Sequence, residues 1–202
     1  YYFSLLLIFF NLAVFTGCSK EKKYKTSVSG HVKEKNGNRK IAGAKVYLTE
    51  LKSYTYNTVA TFVDSAITDN NGYYKMTTSL PGDDYVIFAS AKKYYSQNDR
   101  YNDVENLQDI KPGKDQVCNV ELWPQAWLKI RFINQSGANF VNVNRTYGGS
   151  DIYVDEPDVT VFALVKGNDT TRLAYFVYPG GEPRSHFIYC PGLDTTYTEI
   201  FY

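Results

Sequence analysis

The chain has 202 residues, 16% of them aromatic, with 19 tyrosines. Its 22 Lys and Arg residues nearly balance 21 Asp and Glu residues, so the formal net charge of +1 gives no field that would favour a nucleic acid or an acidic partner. Beyond a short leader, about 180 residues remain, enough for one large or two small domains with ordinary cores.

The chain opens with an apolar run that stops abruptly at a cysteine. Residues 5–15 are almost wholly apolar, and a charged stretch starts just after Cys18. The run is shorter than the roughly 20 apolar residues that cross a bilayer, and it has the length of the apolar part of a secretory signal. The sequence therefore predicts an exported protein.

The residues at the end of this run resemble a bacterial lipobox. The motif is Phe15-Thr16-Gly17-Cys18, and it is followed by Ser19 rather than by the Asp that retains some lipoproteins at the inner membrane. The resemblance implies a signal peptide over residues 1–17, a lipidated Cys18 and a tether over 18–25. We therefore expect a protein held by a lipid anchor at the outer membrane, on its periplasmic or surface side.

Between residues 26 and 122 apolar residues alternate with polar ones, and clusters of Gly, Asn, Asp and Pro interrupt them. The turn at 69–72 is predicted to close a tight hairpin, and Pro112-Gly113 to join a last pair of strands. Seven short strands at this spacing predict a β-sandwich. They are expected near residues 27–33, 44–48, 61–68, 73–78, 85–91, 107–111 and 116–122.

Four segments in this half resemble, in order, the carboxypeptidase regulatory-like domain. They are Val28-Ser29-Gly30-His31-Val32, the segment 41–48, Thr68-Asp69-Asn70-Asn71-Gly72-Tyr73-Tyr74, and the segment 80–85. The resemblance implies a seven-stranded transthyretin-like (prealbumin-like) sandwich, used as a non-catalytic module of exported proteins. In such a fold we expect Gly30 to lie where a side chain would crowd a neighbouring backbone. Asp69 is expected to accept turn N–H groups and Gly72 to be left-handed.

A second domain is predicted from residue 127 to residue 202. Trp123-Pro124-Gln125-Ala126 is read as the hinge, because Pro124 cannot donate to a sheet ladder and the apolar pattern restarts after it. The inward rows are 128, 130 and 132, then 159, 161, 163 and 165, and further strands are expected at 173–178, 185–190 and 195–202. We read a smaller β-sandwich, and we expect the polar stretch 134–156 to be a mobile or functional loop. The fold class is thus all-β, with two β-sandwich domains at 26–122 and 127–202.

Residues with catalytic or metal-binding chemistry are sparse. The chain lacks Gly-x-Ser-x-Gly, His-Glu-x-x-His and Cys-x-x-Cys motifs, and its two histidines, His31 and His186, fall in different predicted domains. Asp69 to Gly72 begins like a calcium loop but lacks the bidentate Glu at its far end. We therefore expect no enzyme, no metal and no cofactor. Cys118 and Cys190 are compatible with a disulfide or with two buried thiols.

Two tyrosine-rich stretches are the candidate ligand-binding sites. Tyr94, Tyr95 and Tyr101 lie among Gln, Asn, Asp and Arg, a mixture that stacks on sugar rings or packs on a partner, and Tyr147 and Tyr153 have similar neighbours. The alternative is that these tyrosines only cap sheet edges. Two functional hypotheses follow: a non-catalytic envelope lipoprotein for binding, adhesion or assembly, with envelope proteins or glycans as partners, or an accessory carbohydrate-binding lipoprotein of a glycan-capture system. An enzyme with an unfamiliar site is a third and weaker alternative.

Overall fold

A computed structural model describes residues 22–53, 58–82, 84–95, 107–138, 140–144, 152–179 and 181–202. These ranges contain fifteen β-strands and no helix, so the predicted all-β class is confirmed. Within them, no helix has the length and apolar character needed to cross a bilayer.

The strands are β1 Tyr24–Glu34, β2 Lys45–Ser53, β3 Thr58–Ile67, β4 Tyr73–Leu80, β5 Asp84–Ser90, β6 Gln108–Ile110, β7 Asp115–Val117, β8 Val120–Leu122, β9 Gln125–Ile133, β10 Phe140–Asn144, β11 Ile152–Val154, β12 Asp158–Lys166, β13 Asp169–Tyr178, β14 Arg184–Cys190 and β15 Thr195–Phe201.

The first eight strands form two sheets with one core between them. In one sheet, β4 pairs with one edge of β1, and β7 and β8 pair in parallel with the other edge. The other sheet has the order β3-β2-β5-β6. Alternate side chains of both sheets, such as Val28, Val32, Val46, Leu48 and Ile87, are at most 1% exposed and belong to one apolar cluster. The predicted first sandwich is therefore confirmed.

Gly30 explains why this sandwich has eight strands rather than the expected seven. A Cβ atom at Gly30 would lie 1.8 Å from the carbonyl oxygen of Cys118, which confirms the expected close approach of backbone. That carbonyl turns to accept a 2.7 Å hydrogen bond from the Tyr74 hydroxyl. Asn119 accepts a 2.9 Å bond from the His31 N–H through its side chain. The Cys118 N–H still donates a 2.8 Å bond to the Ser29 carbonyl of β1, but regular pairing stops after Val117 and resumes at Val120, so the predicted strand 116–122 divides into β7 and β8.

The turn after β3 has the expected local structure but a different role. Asp69 Oδ1 accepts 2.8 Å hydrogen bonds from the N–H groups of Asn71 and Tyr73, and Gly72 has a φ of 68°. However, β3 pairs with β2 and β4 pairs with β1, so the turn carries the chain from one sheet to the other. The predicted hairpin is wrong. The predicted pairing across Pro112-Gly113 is wrong for the same reason, since β6 pairs with β5 and β7 with β1.

The remaining strands form a second pair of sheets around a second core. Their orders are β12-β9-β15 and β11-β10-β13-β14. The inward row Leu128, Ile130 and Phe132 is fully buried in this core, as predicted. The stretch 134–156 is not simply a loop, because it contributes β10 and β11, whose Val141, Val143 and Val154 are also buried there. The alternation around Val141 and Val143 is short, and it was hidden among Asn and Gly residues.

The two cysteines of the body lie in different cores. Cys118 belongs to the first cluster and Cys190 to the second, and both thiols are free. Burial raises the pKa of each thiol, since a thiolate would lose its hydration there. Of the two alternatives left open by the sequence, the buried thiols are the ones observed.

The domain bounds themselves stay a prediction; β8 ends at Leu122 and β9 begins at Gln125.

Candidate functional site

The residues predicted as sites fall into two groups. Cys18, Tyr101 and Tyr147 lie outside the described residues. Tyr94, Tyr95 and Tyr153 are described, and they occupy two separate places on the molecule. Tyr94 and Tyr95 lie between the two sandwiches, whereas Tyr153 lies on the outer side of a sheet of the second sandwich.

Tyr94 is half-buried, and its hydroxyl is used inside the protein. It donates a 2.7 Å hydrogen bond to Oε1 of Glu34, which also accepts a 2.7 Å bond from Nε of Arg39. Burial first, and then the hydrogen bond with Glu34, raise the pKa of Tyr94 to about 12. The Tyr94 hydroxyl is thus bound to a carboxylate of the protein itself, and the predicted binding role of Tyr94 stays a prediction.

The backbone around Tyr94 joins the first sandwich to the start of the second. Tyr94 forms an isolated bridge with Pro124, and the Tyr95 N–H donates a 2.9 Å hydrogen bond to the Trp123 carbonyl. Two ammonium groups lie near the Trp123 ring, that of Lys35 at 5.1 Å and that of Lys166 at 4.9 Å from its centroid. Lysine and indole attract each other in this geometry. The predicted hinge segment is therefore held by contacts from both sandwiches.

Asn168 adds a second connection at this junction. Its side-chain oxygen accepts a 2.8 Å hydrogen bond from the Gly192 N–H, and its Nδ2 donates a 3.4 Å bond to the carbonyl of Lys35. Its carbonyl accepts a 3.3 Å bond from the side chain of Asn36. Asn168, two residues after the end of β12, thus binds the turn that follows β1 in the first sandwich.

Tyr153 has the exposure expected of a ligand-binding ring. It is 66% exposed on β11, and its ring centroid lies 6.5 Å from that of Phe140 on β10. Phe140 in turn stacks on Tyr178 of β13 at 4.5 Å. The sheet thus carries a small aromatic group, and the predicted role of Tyr153 stays a prediction with a compatible position.

A larger aromatic surface, which the sequence analysis missed, lies on the sheet β12-β9-β15. Trp127, Phe162, Tyr197 and Phe201 point away from the core and are 48%, 55%, 52% and 49% exposed. Of four successive rows across the sheet, strand pairing places Trp127 in the first, Phe162 and Tyr197 in the second and Phe201 in the fourth; the third row contains Arg131 and Glu199. We call this surface the Trp127 face; it consists of Trp127, Lys129, Arg131, Ile133, Asp158, Thr160, Phe162, Leu164, Thr195, Tyr197, Glu199 and Phe201.

One row of the Trp127 face holds a lysine between two aromatic rings. Lys129 is paired with Phe162 on one side and with Tyr197 on the other. Its ammonium group lies 5.8 Å from the centroid of each ring. Cation–π attraction at this distance holds the Lys129 side chain against the sheet. In this geometry the Lys129 ammonium group lies over one face of each ring.

The next two rows contain charged groups that are paired with one another, Arg131 and Glu199 in one row and Asp158 in the row beyond it. Arg131 donates to both carboxylate oxygens of Asp158, at 2.9 and 2.6 Å, and its Nη1 lies 3.2 Å from Glu199 Oε1. The Tyr197 hydroxyl donates a 2.6 Å hydrogen bond to the same oxygen of Glu199. The bonds from Arg131 lower the pKa of Asp158, and the bond to Glu199 raises the pKa of Tyr197. The two cations and two anions of the face thus neutralise each other.

The outer side of the sheet β4-β1 shows what a solvated face looks like in the same chain. Between the buried residues of β1 and β4, the outward positions carry short polar or charged side chains. They are Lys25, Ser27, Ser29, Lys75, Thr77 and Ser79; the exceptions are His31 and the 38% exposed Tyr73, which pack on each other at one end. Sheets with one solvated face usually show this pattern. The aromatic rows of the Trp127 face depart from it, and a contiguous exposed apolar patch is typical of an interaction surface.

The signal for the Trp127 face was present in the sequence. The row 159, 161, 163 and 165 was read correctly as inward, and that reading already placed Phe162 on the opposite side. Trp127 was read only as the first residue of the second domain, and Tyr197 only as part of the terminal strand 195–202. The rings come together because β9 pairs with β12 and with β15. The alternation within a single segment does not predict which strands pair.

The described residues show no arrangement of catalytic or metal-binding groups. His31 packs edge-on against Tyr73, and His186 contacts Tyr175 in the other sandwich. Within these ranges, no three His, Cys, Asp or Glu side chains are grouped as a metal ion would require. The acidic residues of the Trp127 face are bound to arginine and tyrosine instead.

No protein-family model matches the chain, and no curated protein matches its sequence. Among solved structures, the chain is similar to GBS52, the minor pilin of Streptococcus agalactiae, with 12% identity, a TM-score of 0.43 and coverage of 88% of this chain and 94% of the pilin. A DUF3823 family protein from Parabacteroides merdae has 10% identity, a TM-score of 0.34 and coverage of 83% and 98%. The Bacillus anthracis TIE protein has 12% identity and a TM-score of 0.37; 88% of this chain matches it and spans about a third (34%) of its length.

Proposed function

We propose that the chain is a non-catalytic protein of the cell envelope that binds a partner through the Trp127 face. The supporting observation is that four aromatic side chains, each about half exposed, share one outward sheet face. Burying the remaining exposed area of such rings is a main source of affinity in interfaces. Three of the four charged groups of this face, Arg131, Asp158 and Glu199, are paired with one another, which suits recognition rather than reaction.

The location we propose rests on the lipobox resemblance. Lipidation of Cys18 would hold the sandwiches at the outer membrane by a tether of a few residues. Growth with labelled palmitate tests this: the wild type is expected to incorporate label and the Cys18→Ser variant to lose it. Equal labelling of the two chains would remove the anchor from the proposal without affecting the binding face.

The binding role is tested with envelope material from the source cells. The full chain, purified from membranes in detergent and immobilised, is expected to retain envelope components, and Trp127→Ala combined with Phe162→Ala should abolish that retention. Phe187→Ala is the matched control, because Phe187 is 70% exposed on β14, on the outer side of the opposite sheet. Equal retention by the double variant and the wild type would contradict the proposal.

A further inference from the structure

The dimensions of the Trp127 face restrict what can occupy it. Its four rows run from Trp127 to Ile133, and residues on one side of a strand are about 7 Å apart, so the face is about 20 Å long. Three strands at about 4.8 Å give a width of about 14 Å. The resulting area of about 300 Å² is well under the roughly 800 Å² per partner of a stable protein interface. The face fits a narrow, extended ligand better than a folded protein.

The charges of the face restrict the ligand further. Lys129 and Arg131 are balanced by Asp158 and Glu199, and Arg131 is directly bonded to both acids. A polyanion would have to compete with these internal pairs, and a polycation would have to compete for the same carboxylates. The face therefore attracts neither, and it favours an uncharged ligand.

The remaining groups match the two kinds of surface that a neutral sugar offers. A pyranose ring has an apolar face of C–H groups and a rim of hydroxyl groups. Phe162 and Tyr197 offer two rings on either side of Lys129, and Trp127 offers a third in the next row. The carboxylates of Asp158 and Glu199 keep further lone pairs that can accept hydroxyl protons beside the rings.

We propose that the Trp127 face binds an uncharged polysaccharide, whose chain lies along β9 with sugar rings stacked on Trp127, Phe162 and Tyr197. This inference rests on the proposed function and specifies its ligand class and its site. It assigns binding to residues different from Tyr94, Tyr95 and Tyr153. The alternative occupant is a second copy of the chain, packed face to face on the first. Sedimentation, together with the binding measurements, distinguishes a polysaccharide from a second copy.

The test uses the full chain in detergent with a panel of soluble neutral polysaccharides: starch, mixed-linkage β-glucan, mannan and xylan. Affinity electrophoresis and calorimetry are expected to show binding to at least one of them. Trp127→Ala and Tyr197→Ala should each weaken that binding about tenfold or more, as loss of a central aromatic contact does. Trp127→Phe, which keeps a ring, should retain most of the affinity, and Phe187→Ala should match the wild type. All these positions are exposed, and the melting temperature of each variant verifies its fold.

Three results would overturn the inference. The first is no binding to any member of the panel, the second is equal binding by wild type and Trp127→Ala, and the third is tighter binding to the polyanion alginate.

Sedimentation that shows a dimer dissociated by Trp127→Ala would assign the face to a second copy. If envelope material still binds through the Trp127 face and protease treatment of that material abolishes retention, the proposed function stands and the polysaccharide inference fails. If retention never depends on this face, both fail.

Discussion

The hydroxyl of Tyr94 donates a 2.7 Å hydrogen bond to the carboxylate of Glu34, a side chain that is only 6% exposed at the end of β1. The same carboxylate forms an ion pair with Arg39. A buried carboxylate that loses a donor retains its desolvation penalty without full compensation. The contact therefore stabilises the place where the first sandwich meets the segment leading into the second.

The Tyr94→Phe variant tests this contact. Because hydrogen bonds to charged groups contribute about 1.5–3 kcal/mol, we expect the free energy of unfolding to fall by that amount. Denaturant titration measures it. Tyr189→Phe is the control, since Tyr189 is 58% exposed on β14 and should change the free energy by less than about 0.5 kcal/mol. Equal effects of the two substitutions would show that the Glu34 contact contributes nothing.

The stability should also decline at alkaline pH. The pKa of Tyr94 is raised from 10.0 to about 12, and burial raises the pKa of Tyr74 as well. Between pH 10 and 12 an unfolded tyrosine releases its proton while the folded one keeps it, so the free energy of unfolding falls as pH rises through this window and is unaffected below it. Urea titrations from pH 8 to 11 should show a smaller decline for Tyr94→Phe than for the wild type. Parallel curves would contradict the assignment.

Gly30→Ala should be among the most damaging single substitutions in the first sandwich. The added Cβ would lie 1.8 Å from the Cys118 carbonyl oxygen, and moving that carbonyl would break its bond with Tyr74. We expect a loss of about 3 kcal/mol or more in the free energy of unfolding. Gly82→Ala is the matched control: its Cβ would have no neighbour within 4 Å, so it should be neutral or slightly stabilising. A folded Gly30→Ala variant of wild-type stability would refute the packing argument.

The buried thiols should be unreactive in the native protein. Burial raises the pKa of both Cys118 and Cys190, which removes the thiolate that reacts with disulfide reagents. In a Cys18→Ser chain we expect no fast reaction with Ellman's reagent, and two equivalents after unfolding in guanidinium chloride. Thr77→Cys, at an exposed position of β4, should add one fast equivalent. Fast reaction without that substitution would mean that a core opens readily.

Local patterns were enough for much of the fold. Alternation identified the inward rows of β1, β9 and β12, because a pleated strand with one buried face needs an apolar side chain at every second residue. The roles of Gly30, Asp69 and Gly72 were also readable, because each depends on the backbone within a few residues or on one close neighbour. The short strand β10 was missed, since five residues among Asn and Gly carry little alternation.

Strand partners were not readable in this way. A turn such as Asp69 to Gly72 has the same local hydrogen bonds whether its two strands pair with each other or enter opposite sheets. The choice depends on which distant strands are available, here β2 for β3 and β1 for β4. The predicted hairpins failed for this reason, although the predicted turns were present.

The sequence by itself determined that the body is built of strands with buried alternate rows, because period-two alternation is a property of neighbouring residues. Only the tertiary structure decided which outward residues come together. Trp127, Phe162 and Tyr197 are distant in the chain and become one surface because β12 and β15 pair with the two edges of β9. Likewise, Tyr94 faces Glu34 rather than solvent because the chain passes between the two sandwiches there. Such long-range pairings follow from how whole sheets close over a shared core.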